Sequence, residues 1–318
     1  MRSASVFLRR LGRHWRWGRE QGFGRLIEED ELNPISRLSN SYRKWRWRSA
    51  NAAGPAAATA VFLVGVQRSG TNMIVRGLQT APEFEVYNEN NKRAFRNYRL
   101  RPDADIAEIV ERSRHLFVLF KPLIDSHRVD HLLDDLALSS PPRALWVYRN
   151  MEGRVRSSVA KFGDTNLRAL REISAGTGVH RWEAQRLSPQ SMELIRSFSY
   201  DGMTPESASA LFWYVRNSLF FELELHKRPD VLLVSYDSFV SNPEGSMRTV
   251  CEHIGFDWNP RLTAHVTSRA RGPQLRLAID PRIRTLCDDL QDRLATTADE
   301  SPRRLATRTT RGDKTSAG

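Results

Sequence analysis

Cysteine is scarce. Cys251 and Cys287 are the only two in 318 residues, too few for a disulfide framework, and both fall in stretches that predict helices, so two reduced structural thiols are expected. No spacing of Cys and His suits a metal-ligand set, which argues against a catalytic metal. Long apolar runs are missing too. The best of them, Ala56–Val66, falls short of the roughly 20 residues that a membrane-spanning helix needs and reads as a buried strand. The amino-terminal segment has arginines but no apolar stretch of signal-peptide length, so a cytoplasmic location is expected. Acidic residues are outnumbered, 37 against 49 basic ones, for a net charge of +12. Such an excess predicts an anionic partner: a phosphorylated cofactor, nucleic acid, an acidic membrane surface or an acidic substrate. Composition does not choose among them. Lysine is rare among the bases, six of 49, which makes each lysine worth locating.

What is present divides the chain in three. Residues 1–55 form a basic aromatic extension and linker, with Arg13-His14-Trp15-Arg16-Trp17 and Arg43-Lys44-Trp45-Arg46-Trp47-Arg48. Phe7, Leu11 and Trp15 share one helical face, a stripe that could lie on an anionic membrane; packing of the tryptophans on the remaining domain is the favoured alternative. Residues 56–295 alternate short apolar runs with helical stretches. Strands are expected at 60–66, 84–87, 116–121, 144–149 and 231–236, and helices near 72–80, 104–114, 128–137, 152–162, 205–226 and 243–254. Near-continuous apolar strands predict a parallel sheet covered on both faces. The implied architecture is a three-layer α/β/α domain with a central, mainly parallel sheet and ligands at its carboxyl edge. Residues 163–204 break the rhythm and read as an insertion or lid. From about Thr296 the chain is small, polar and basic, and is expected to be a disordered tail to 318.

The sharpest local signal is Gly65-Val66-Gln67-Arg68-Ser69-Gly70-Thr71-Asn72, between a buried strand and a helix. Two glycines around a four-residue spacer let backbone N–H groups curl around a phosphate at a helix N-terminus. A nucleoside-triphosphate loop continues with Lys and then Ser or Thr; here Thr71 and Asn72 stand in those places. The loop therefore lacks the lysine for terminal phosphates and the hydroxyl for magnesium, and carries its cation earlier, at Arg68. Farther on, the strand 144–149 ends in Arg149, and Ser157 lies eight residues later. A guanidinium there can hold a phosphate bidentately.

The segment FLVGVQRSGTN resembles the 5'-phosphosulfate loop of sulfotransferases that use 3'-phosphoadenylyl sulfate (PAPS), with Asn72 where a second Thr is common. Arg149 and Ser157 resemble the same family's 3'-phosphate element, and VLLVSYDSFVSNPEGSMRTVCEHIGFDW its late strand and Pro-started helix. The resemblance spans about residues 60–295. It implies a P-loop-type sulfotransferase fold that moves a sulfuryl group from PAPS to an acceptor hydroxyl of a carbohydrate, glycolipid or small metabolite, releasing PAP and needing no metal. Gln67, Arg68, Ser69, Gly70, Thr71, Asn72, Arg149, Ser157, Tyr236, Arg271 and Gly272 are then expected to bind the donor.

Arg68 and Lys121, which ends the strand LFVLFK, are the expected electrostatic catalysts. The His that the cytosolic branch of the family carries two residues after this lysine is replaced by Leu123. Glu89, 21 residues past Arg68, is similar to the base of the tyrosylprotein and bacterial branches, and is expected to take the acceptor proton. A surface role for Glu89 is the rival reading, with Glu85, Asp125 and His127 as reserve candidates. Two other classes remain open: a P-loop kinase-like enzyme, disfavoured by the missing Lys-Ser/Thr, and a binder of anionic membrane or nucleic acid, for which no specific nucleic-acid motif is present.

Overall fold

Five apolar runs pair into one sheet. In the structure, a computed structural model that describes residues 34–51, 54–266 and 275–312, these are β1 (Thr59–Gly65), β2 (Phe84–Tyr87), β5 (Phe117–Phe120), β6 (Arg143–Tyr148) and β7 (Val231–Ser235). A hairpin of β3 (Phe95–Arg96) and β4 (Arg99–Leu100) stands apart. The order is β2-β5-β1-β6-β7 with every pair parallel. Side chains alternate across the sheet: Val61, Leu63, Leu119, Leu145 and Val147 enter one core, and Phe62, Val64, Phe120 and Trp146 the other.

The chain divides into two units after residue 52, and the first contributes helix α1 (Pro34–Ala50). In the second unit the helices are α2 (Thr71–Gln79), α3 (Asp103–Glu111), α4 (Val129–Asp134), α5 (Met151–Phe162), α6 (Thr165–Ser174), α7 (Pro189–Arg196), α8 (Pro205–Glu222), α9 (Tyr236–Ser241), α10 (Pro243–Ile254) and α11 (Pro281–Gly312). Residues from α2, α9 and α10 fill one core, while α3 to α8 and α11 supply the other, completing the three layers. Helices α7, α8 and α10 each start with a proline at the first turn. The side chains of Ser188, Thr204 and Asn242 accept from the N–H groups of Ser191, Ser207 and Gly245, satisfying donors that a helix start leaves open. Helix α8 is buried on most of its circumference, from Ser207 to Phe220, as expected of a helix with apolar residues all round.

Two segments add to the expected organisation. The segment 163–204 holds α6 and α7, and Ala169, Leu170, Ile173 and Ile195 lie in the core; its glycines fall between helices. The last helix runs on to Gly312, through residues expected to be disordered from Thr296. Leu290 and Leu294 are buried and Ala298 packs beside them, so tertiary anchoring carries a polar sequence past the point where composition alone predicts an end. The thiols of Cys251 and Cys287 are buried and reduced.

The sheet fixes one glycine absolutely. Gly65 ends β1 at φ 128°, and a Cβ there would lie 2.2 Å from the Val147 carbonyl oxygen of β6. Backbone strain and overpacking combine at this position. Gly65→Ala is expected to lose on the order of 3 kcal/mol of stability in urea unfolding; a loss near zero would show that β1 and β6 can separate at this end.

Candidate active site

In a parallel sheet all carboxyl ends share one edge, and here each of the five strands delivers a polar group to it. Glu89 follows β2, Lys121 follows β5, the loop 66–70 follows β1, Arg149 follows β6 and Tyr236 follows β7. The chain leaves β1 toward β2 and β6 toward β7, so the topological switch lies between β1 and β6, where such folds bind ligands.

The loop is held from several sides. Ser126 Oγ accepts from the Gly65 N–H at 2.9 Å. Arg154 Nε donates to the Gln67 carbonyl at 3.2 Å. Arg68 lies in the left-handed region at φ 73°, a conformation that costs a non-glycine residue about 1–2 kcal/mol. Gly70 caps α2 at φ 88°, and a Cβ on it would overlap the Tyr236 ring, 2.0 Å from Cδ2. The Arg149 guanidinium carbon lies 4.7 Å from the centroid of that ring. Tyr236 thus spaces the loop from β6. Ser69 is fully buried and its hydroxyl meets no hydrogen-bond partner among the described residues, a state that calls for a ligand or solvent acceptor.

The two halves that the sequence separates are in contact. Arg68 Nε donates to Ser157 Oγ at 2.9 Å, joining the loop to α5. At the far end of the edge, Lys121 Nζ donates to Asn72 Oδ1 at 2.7 Å and stands 4.0 Å from Glu89 Oε2. Asn72, bound through its oxygen, can still donate through its amide. Burial raises the Glu89 carboxyl to about 7; Lys121 and an N–H from Leu123 oppose this, and Asp125 adds to it. A carboxyl so tuned can accept a proton near neutral pH.

The reserve candidates are committed elsewhere. Glu85 accepts from Tyr87, Arg93 and Ser113. Asp125, wholly buried, holds Arg99 and the Leu100 N–H. Burial, with the nearby Arg216 and Arg99 adding to it, pushes the His127 imidazole down to about 3 and keeps it neutral. Trp213 is core, its indole N–H donating to the Arg149 carbonyl at 2.9 Å. Arg271 and Gly272 lie outside the described residues. The described residues contain no group of acidic, His or Cys side chains able to hold a metal, and no helix long and apolar enough to cross a membrane.

The sulfotransferase domain profile matches residues 58–270, from the strand that opens the loop to beyond the last sheet strand. The chain belongs to the sulfotransferase domain family. No curated protein sequence matches it. Among solved structures it is similar to a sulfotransferase from Alicyclobacillus acidocaldarius, with 15% identity over 79% of this chain and 97% of that one and a TM-score of 0.41. The sulfotransferase domain of the Synechococcus PCC 7002 olefin synthase gives 14% identity over 79% and 97%, with a TM-score of 0.37. A mouse sulfotransferase complexed with PAP gives 13% identity over 81% and 92%, also at 0.37.

Two groups of this sulfotransferase's site escape sequence reasoning. Asp237 grips Asn150, accepting from its N–H at 2.8 Å and its Nδ2 at 2.7 Å, and so orients the turn that follows Arg149. Its place in the Tyr-acid pair was visible, its target was not. Arg154 reads as part of a solvated basic helix yet is fully interior.

The Glu89 shift has a consequence for stability. The folded chain holds this proton more tightly than the unfolded one, so the stabilisation is full below about pH 4.5 and is lost as the pH rises through about 7. Glu89→Gln removes that dependence. In calorimetric unfolding the variant is expected to gain on the parent between those limits, by on the order of 3 kcal/mol in all. A difference that stays constant with pH would mean that Glu89 titrates as an ordinary surface acid.

Proposed function

We propose that the sulfotransferase draws its sulfuryl group from PAPS and passes it, by in-line displacement, to a hydroxyl of a carbohydrate, glycolipid or small metabolite. The observation that carries this reading is the Arg68–Ser157 hydrogen bond. It puts a loop suited to a phosphosulfate next to an element suited to a second phosphate, and PAPS is a nucleotide with both. The buried Ser69 hydroxyl and the glycine-only space beneath Tyr236 suit an anion lying on the loop backbone.

In this reading Gln67, Arg68, Ser69, Gly70, Thr71 and Asn72 hold the 5'-phosphosulfate, Arg149 and Ser157 hold the 3'-phosphate, and Tyr236 keeps the two apart. Arg271 and Gly272, outside the described residues, are assigned to donor binding by the family resemblance alone. Glu89 takes the acceptor proton as the acceptor oxygen bonds to sulfur. Arg68 and Lys121 stabilise the charge left on the phosphate oxygen when its bond to sulfur breaks. Residues 56–295 form the catalytic domain, and the 163–204 segment contributes to the acceptor side. A kinase-like reading has less support, because Thr71 and Asn72 replace the lysine and hydroxyl that ATP with magnesium requires.

Calorimetric titration with PAP, set against ATP with magnesium, separates the two. PAP is expected to bind and ATP not to; Arg149→Ala is expected to weaken PAP by about 10- to 100-fold, the worth of a charged hydrogen bond. Glu89→Gln is expected to keep PAP affinity and lower turnover by about 10²- to 10⁴-fold. Magnesium-dependent ATP binding without PAP binding would transfer the protein to the kinase class.

A peripheral role for the extension has its own support. On α1, Tyr42 and Trp45 are exposed, their rings 6.0 Å apart, among Arg43, Lys44, Arg46 and Arg48. We propose that this unit binds anionic membrane. Removal of residues 1–50 is expected to abolish co-sedimentation with phosphatidylserine vesicles while turnover persists; unchanged sedimentation would remove the extension from that role.

A further inference from the structure

The turn that holds Glu89 runs directly into the hairpin of β3 and β4. The Asn91 N–H donates to the Asn88 carbonyl at 2.8 Å, and the Phe95 N–H to the Asn91 carbonyl at 2.9 Å. The base of the hairpin is fixed to the site. Asp125, four residues past Lys121, accepts from the Leu100 N–H at 2.7 Å and pairs with Arg99 at 2.8 Å. Arg99 also donates to Gln185 Oε1 at 2.8 Å. The Gln185 carbonyl is held in turn by Arg216, an interior residue, at 3.1 Å. Phe95 and Leu100 pair across the ladder and are buried. The sheet edge and the 163–204 segment thus grip one end of the hairpin, while Arg96, Asn97 and Tyr98 at the other end are exposed.

The tip is unusual. Asn97 and Tyr98 both lie at positive φ, 52° and 66°, the pattern of a two-residue turn that ordinarily carries Asn and then Gly. Here a tyrosine takes the glycine position. The left-handed conformation disfavours a bulky side chain, and the fold gains little burial in return, because Tyr98 is 56% exposed. Strain kept at an exposed position points to a use outside the fold. Five cations flank this residue in sequence. Arg93, Arg99 and Arg101 have acidic partners in Glu85, Asp125 and Asp105. Lys92 and Arg96 are exposed and pair with no acid among the described residues. A tyrosine ring offers a rigid apolar face at little entropic cost, and two spare cations beside it favour an anion.

We infer that the β3–β4 hairpin is an acceptor subsite for an acidic oligosaccharide, with Tyr98 against a sugar face and Lys92 and Arg96 on its carboxylates. The inference rests on the sulfotransfer reading above and narrows its acceptor to a charged glycan chain. Glu89 lies within the site, its side chain 19% exposed, whereas Tyr98 stands in solvent. One sugar unit is therefore placed at the base and a further unit on the tip.

The test uses the full chain saturated with PAP, with binding read by calorimetry. The probes are tetragalacturonate, a hyaluronan tetrasaccharide, monomeric galacturonate and neutral maltotetraose. At least one acidic tetramer is expected to bind about 10-fold or more tightly than maltotetraose and galacturonate, the worth of one charged hydrogen bond. Lys92→Ala combined with Arg96→Ala is expected to erase the preference for acidic over neutral sugar. Tyr98→Gly is expected to weaken the same tetramer by about 5- to 10-fold. Its Tm is expected to hold or to rise by about 2 °C, because glycine relieves the turn; a clear fall in Tm would make Tyr98 a structural residue and overturn the inference. Equal binding of acidic and neutral tetramers, tetramers no tighter than the monomer, binding of no tetramer, or variants that bind as the parent does would overturn it as well. PAP binding in the same titrations keeps the outcomes apart: if PAP fails to bind, the donor reading falls, whereas bound PAP without preference for an acidic tetramer removes only the subsite.

Discussion

Arg154 lies wholly inside the protein between the phosphate loop and α8, and no carboxylate pairs with it among the described residues. Its charge is carried by polar neighbours: the Gln67 carbonyl at 3.2 Å, the Ser209 carbonyl and hydroxyl at 3.0 and 2.8 Å, and the face of Phe212 at 5.1 Å. Burial pulls this guanidinium down to about 9, and Arg68 adds to the pull. Stripping an ion of water costs several kcal/mol even after relaxation, and carbonyls offset only part of that. The same contact that partly solvates Arg154 fixes the loop, because its Nε holds the peptide next to Arg68. The loop is thus braced by a cation and repelled by it. An anion on the loop relieves the repulsion between Arg68 and Arg154 without moving either, so the site is organised before any ligand arrives.

The same edge explains why so much of the site can be read in one dimension. In a parallel sheet each strand ends on the same side, so a polar residue directly after an apolar run is placed there by topology alone. Arg149 after ALWVY and Lys121 after FVLF need no further information, and Glu89 two residues past FEVY needs little more. The strands themselves were legible for the same reason: both faces are covered, so they are continuous in hydrophobicity. Recognition of the family came from the loop and the Arg149–Ser157 spacing, local features tied to backbone geometry.

Arg154 and Arg216 were not legible, because the depth of a helical arginine is decided by what packs over it. Arg154 stands beside Arg156 in sequence, yet one is interior and the other half-buried. Asp237 was seen as part of a motif, but its partner Asn150 is 87 residues away. The carboxyl-terminal helix is hard to read from sequence for a related cause. Its small polar residues give little amphipathic signal, and what orders the stretch past Thr296 is the burial of Leu290 and Leu294 against the core.

Lys121 couples the loop to Glu89. Its ammonium stands 4.0 Å from Glu89 and donates to Asn72 on the loop, so it divides its field between the two ends of the site. With the loop alone, that field lowers the Glu89 carboxyl against the larger effect of burial. An anion bound at Asn72 and Lys121 would neutralise the ammonium and add negative charge near the carboxylate, and both changes favour its protonated form. Glu89 would then bind a proton more strongly with donor present than without. In the proposed reaction Glu89 would thus gain strength as a base when a sulfuryl group is in place, while the ammonium would be drawn toward the oxygen that must accept charge. A single lysine at a strand end, in a chain that otherwise prefers arginine, suits this double duty because a compact ammonium can shift between partners that a planar fork would hold in place.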